Sequence, residues 1–135
     1  MTSPEAQEPA EQTAEISTEQ QAKIAESQGK INGYRNAINE IADLVKAHPD
    51  TRTSKLFELT ERGESDLSKI DEARAFPKIE DDTRNELTDK LNDVLPSLEA
   101  SYQSASDGSS SFTTEQEALL KEVYRRALAL RGALR

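Results

Sequence analysis

The chain has no cysteine and no tryptophan, one methionine and one histidine, and aromatic residues make up only 4% of its 135 positions. Without cysteine there is no disulfide framework, no thiolate metal site and no thiol nucleophile. No apolar run approaches the roughly 18 residues of a membrane span. The acidic N-terminal stretch also lacks the basic and apolar regions of a secretory signal. Glycine and proline are scarce, five of each, and no glycine-rich phosphate loop or EF-hand loop occurs. These absences suit an intracellular, cytoplasmic location, and equally a protein carried in a virus particle.

Large aliphatic side chains are also few. Leu, Ile, Val and Phe together number 26, just under the roughly 20% below which a charged chain drifts towards disorder. Charge, by contrast, is plentiful: 26 acidic against 17 basic residues, a formal net charge of -9 and a pI near 4.7.

Residues 1–17 are rich in Glu, Gln, Ala and Pro, with Ile16 as the one large aliphatic. Such a segment buries too little surface to offset its ordering entropy, which predicts a disordered acidic arm. Beyond it, apolar residues return at Ile24, Ile31, Tyr34, Ile38, Ile41 and Val45. From Ile31 the spacings alternate three and four, a coiled-coil-like seam. Ser17 with Gln20, or Thr18 with Gln21, has capping-box spacing at its start, and Pro49 stops the helix. Gly29 and Gly33 share one face and predict either a close backbone approach or a bend, at about 1 kcal/mol each relative to Ala.

A second helical phase runs from Thr51 to Arg74 through Leu56, Leu59, Leu67, Ile70 and Ala73. Because the phase survives Gly63, one helix with a weak centre is expected. A third pattern starts near Asp82, with Thr83 and Glu86 at capping-box spacing. It continues through Leu87, Leu91, Val94, Leu95, Leu98 and Tyr102, with Pro96 predicting a kink near Asn92 to Pro96. Residues 104–111, SASDGSSS, read as a flexible linker. Phe112 and a Thr114–Glu117 box then open a last helix over 112–135. No alternating strand pattern competes. The expected fold is all-α: an elongated antiparallel helical bundle or set of helical hairpins. A helical body of about three helices over 18–103 precedes the linker and the terminal helix.

The last helix carries an apolar stripe (Leu119, Leu120, Val123, Ala127, Leu130, Leu134) and a basic remainder (Lys121, Arg125, Arg126, Arg131, Arg135). Residues 111–135 hold five bases and three acids, whereas residues 1–110 hold 12 bases and 23 acids. Arginine near a helix C-terminus also complements the macrodipole, which accounts best for Arg131 and Arg135.

Catalysis has little to work with. His48 has Leu44 and Arg52 at the positions four residues away, so it forms no metal pair. Glu80, Asp81 and Asp82 fall at a helix start, where negative charge is favourable. Asp89 and Asp93 are spaced to share a cation, but no Glu-x-x-His element accompanies them. The sequence therefore predicts a non-enzymatic protein with no metal and no cofactor. The expectation is a scaffold, adaptor or chaperone that pairs with a protein partner, or with itself as a homo-oligomer. The seam Ile24, Ile31, Tyr34, Ile38, Ile41 and Val45 would supply one contact and the tethered basic helix a second. The alternative is a small regulator binding nucleic acid weakly through that helix. Four or five cations give salt-sensitive attachment at best, against repulsion by the net charge. Membrane binding is not expected, since the helix has no Trp or Phe on its apolar face.

Overall fold

The computed structural model describes residues 18–108 and 112–135. The expected acidic arm over 1–17, Ser17 of the first capping box and part of the serine segment lie outside the described residues. The fold is all-α. Five helices are described: α1 (Thr18–Lys46), α2 (Arg52–Glu61), α3 (Leu67–Arg74), α4 (Asp81–Ser106) and α5 (Thr114–Leu134).

Cross-helix bonds fix the topology. The Tyr34 hydroxyl meets Ser101 Oγ at 2.9 Å and Lys90 pairs with Glu40 at 3.8 Å, so α1 and α4 are antiparallel. Gln116 donates to the Ile24 carbonyl at 3.0 Å and Arg126 reaches Asn39, so α1 and α5 are parallel. Arg126 also pairs with Glu61, the last residue of α2, and α2 runs antiparallel to both. The result is an elongated bundle of three long helices, with the 10-residue α2 filling a fourth corner over part of its length. At 1.5 Å per residue, α1 spans roughly 43 Å and α2 about 15 Å.

One core cluster joins the elements. Ile31, Ile38, Ala42 and Val45 of α1 meet Phe57 of α2, Leu87, Leu91 and Leu98 of α4, and Leu120, Ala127 and Leu130 of α5, each no more than 2% exposed. The terminal helix is thus packed between α1, α2 and α4. It is a core member and not a module held only by a linker. α3 touches α2 alone, through buried Leu59 and Ala73.

The single helix expected over Thr51–Arg74 is two. The break has a local cause. Gly63 adopts φ +73, its N–H donates to the Thr60 carbonyl, and the Glu64 N–H reaches back to the Leu59 carbonyl at 2.9 Å. This pair of bonds is a Schellman motif, which satisfies terminal carbonyls and ends the helix where glycine accepts a left-handed turn. α3 restarts on its own cap, with Asp66 accepting from the Ser68 N–H at 2.9 Å. Bonds from Ser68 hold the Asp66 carboxyl below its ordinary pKa. The restarted phase leaves Leu67 73% exposed, and the inward anchor of this region is Phe57, which the expected face omitted.

Two other starts differ by a residue or more from expectation. α4 begins at Asp81 with Glu80 as N-cap and no side-chain cap bond, so Thr83 lies inside the first turn. α5 is capped by Thr113 and Gln116 instead of Thr114 and Glu117. Thr113 Oγ1 accepts from the Gln116 N–H and Gln116 Oε1 from the Thr113 N–H, both at 3.1 Å. Pro96 lies within an unbroken α4, one turn from Asn92 on its exposed face. Ser104 to Ser106 of the expected linker are the end of α4. Beside Gly29 and Gly33, an added Cβ would meet nothing within 4 Å, so no neighbouring backbone approaches there.

Candidate functional site

The seam residues are placed together, and they face inward. Ile31, Ile38, Ile41 and Val45 are 0–2% exposed and lie in the protein's own core. Tyr34 is half-buried, its hydroxyl shared with Ser101 and directed at the Ser97 carbonyl at 3.3 Å. Ile24 is only partly buried, near the end where Gln116 also bonds Gln28 at 3.2 Å. Pairing with a second copy through this seam would require its members to leave contacts they already make.

Of the five basic residues, Lys121, Arg125, Arg131 and Arg135 are exposed and share one broad arc of the helix, whereas Arg126 is set apart and partly buried. Arg126 is structural: it pairs with Glu61, bonds Asn39 and lies 5.8 Å from the centre of the Phe57 ring. Lys46 approaches the same ring and the same carboxylate. Arg125 is exposed and bound to Glu122 at 2.6 Å. Lys121 borders a shallow depression beside Tyr102, and Arg131 is exposed on the surface. Arg135 lies at the far end, close to the start of α4. Within that arc Arg125 is neutralised by Glu122, which lowers the positive charge a phosphate backbone would meet.

Tyr102 and Tyr124 stack with ring centres 4.4 Å apart, and the Tyr124 hydroxyl donates to Glu99 at 3.4 Å. Burial first, and then the Glu99 charge, raise the Tyr124 pKa above its ordinary value. Both favour the neutral phenol and a structural role for the pair.

His48 is exposed just beyond α1, where its carbonyl accepts from the Thr51 hydroxyl at 2.7 Å. Among the described residues no three His, Cys, Asp or Glu side chains are grouped to hold a metal ion. No described helix is long and apolar enough to cross a membrane.

The outer face of α4 presents a pattern that apolar periodicity passes over. Asp82, Glu86, Asp89 and Asp93 are spaced four, three and four residues apart, all are exposed, and none has an ion-pair partner among the described residues. At 100° per residue they form one stripe, opposite Leu87, Leu91, Leu95 and Leu98. Like charges at this spacing destabilise a helix by about 0.2–0.5 kcal/mol per pair. The same three-and-four count applied to acids instead of apolar residues would have found it. Comparison with protein-family models, with curated proteins and with solved structures finds no match.

Proposed function

We propose that this chain is a non-catalytic helical interaction protein of the scaffold, adaptor or chaperone kind. It meets its partner with the charged outside of a bundle closed on itself. The observation that supports this most is the division of its side chains. The apolar seam is spent internally, while the α4 stripe Asp82, Glu86, Asp89 and Asp93 is exposed and has no ion-pair partner among the described residues. Among the described residues Leu44 and Leu67 are the exposed large apolar ones, too scattered to form an apolar docking patch. A surface of this kind recognises by charge, and the net charge of -9 steers a partner with a basic face.

The experiment is affinity capture from the native source, with the captured complex weighed and sequenced. The partner should be released between about 50 and 500 mM salt, as the Debye length contracts. It should also be lost with Glu86→Gln/Asp89→Asn/Asp93→Asn, whose melting temperature should not fall. Retention indifferent to salt and to these substitutions would overturn the reading. A concentration-dependent homo-oligomer on sedimentation would transfer it to self-association.

A further inference from the structure

At one end of the bundle the start of α2, the start of α4 and the end of α5 converge. Arg52, Lys78, Arg84 and Arg135 line a cavity of about 150 Å³ there, with Thr53 and Asp81. Four cations against one carboxylate is a local inversion in a chain with an excess of acids. The Arg52 N–H donates to the Pro77 carbonyl at 2.8 Å, which fixes the segment bearing Lys78 onto the start of α2. Arg52 Nε donates weakly to the Phe76 carbonyl at 3.4 Å, and its terminal nitrogens have no acceptor among the described residues. Arg84 approaches Asp81 at 3.8 Å, beyond hydrogen-bonding distance. Lys78 and Arg135 have no carboxylate partner among the described residues.

A second, independent observation comes from the cavity wall. Thr53 is 5% exposed, yet its hydroxyl has no hydrogen-bond partner among the described residues. Buried hydroxyls are normally satisfied. The first turn of α4, which contributes Asp81 and Arg84 to the same cavity, has no side-chain cap. The Arg84 N–H donates to the Glu80 carbonyl at 2.8 Å, and the preceding amides lie at the positive end of a 26-residue helix.

We propose that this cavity binds a phosphate-sized oxyanion, held by Arg52, Lys78, Arg84 and Arg135 and accepting from the Thr53 hydroxyl. Guanidinium forks match the oxygens of such an anion. The net charge disfavours an extended polyanion, so the ligand is small: inorganic phosphate or a phosphomonoester. The proposal does not rest on the partner reading above, since its test contains no second protein.

The test is an amide NMR titration of the full chain with sodium phosphate, sodium chloride holding ionic strength constant, and a parallel arm with glycerol phosphate. Saturable shifts are expected at Thr53, Ile79, Arg84 and Arg135. Affinity should fall at least about tenfold in Lys78→Gln/Arg135→Gln. Both positions are exposed, so the melting curve of this variant should be unchanged. Tighter binding of the ester assigns the site to a phosphorylated metabolite, and tighter inorganic phosphate to the free ion. Shifts that rise linearly to about 50 mM, or that persist in the double variant, would overturn the proposal.

Discussion

Where α2 occupies the fourth corner of the bundle, Phe57, Val45 and Leu130 are completely buried in one core, and Lys46, Glu61 and Arg126 close over the phenylalanine ring. Towards the start of α1, beyond the reach of α2, Ile24, Tyr34 and Tyr102 are only partly buried. There the helices are joined by side-chain hydrogen bonds: Gln116 to Ile24 and Gln28, and Tyr34 to Ser101. The buried aliphatic core continues into this end as Ile31, Leu98 and Leu120, but no fourth helix covers it. Polar bonds add to the packing there, each contributing about 0.5–1.5 kcal/mol net. A chain with few large side chains can thus close a bundle by itself, provided that its stability is distributed unevenly.

Phe57→Ala attacks this contrast most directly. Emptying a completely buried aromatic site costs about 3–5 kcal/mol, against a total of about 5–15 kcal/mol for a domain. Chemical denaturation should show the full loss, with α2 and α3 released together because α3 packs on α2 alone. A loss below about 1 kcal/mol would mean that the α2 corner is not the anchored end. Gln116→Ala probes the polar end. It removes half of a capping box and two bonds to α1, and a decrease of about 1–2 kcal/mol is expected in the same measurement. If both substitutions cost the same, the two ends are equivalent and the comparison fails.

The helical class, the seam and the stop at Pro49 were legible in the sequence because each is a local or periodic signal. Ile31, Ile38, Ile41 and Val45 are where a three-and-four spacing places them. What the seam faces is not periodic information. Seam residues read as a partner surface, because a single stripe looks the same whether its complement lies on another molecule or on Leu120, Val123 and Leu130 of the same chain. Phe57 was hidden for a related reason. The phase through Leu56 and Leu59 continues across Gly63, and a helix running on to Arg74 needs a different inward face from one that ends at Glu61. The basic residues of α5 share the arc left by the apolar stripe, but helical phase does not say what each meets: Arg126 belongs to the polar lid over Phe57 and Arg135 to the cavity at the start of α4.

The smallest expected effect is also the sharpest test of how the two ends are coupled. Gly29 and Gly33 lie in exposed positions of α1, towards its polar end, with nothing within 4 Å of where a Cβ would stand. Substitution by alanine therefore meets no steric opposition and removes backbone freedom from the unfolded chain. Each of Gly29→Ala and Gly33→Ala should stabilise by about 0.8–1 kcal/mol. Where that gain appears is the informative part. If the polar bonds bind this half of α1 into the cooperative unit, the denaturation midpoint rises and amide exchange slows at Ile31 and Val45 alike. If this half instead frays on its own, exchange slows only near the substitutions and the midpoint stays fixed. The Gln116 and Tyr34 bonds bridge α1 to both α5 and α4, so the first outcome is expected; the second would show that those bonds do not carry cooperativity across the bundle.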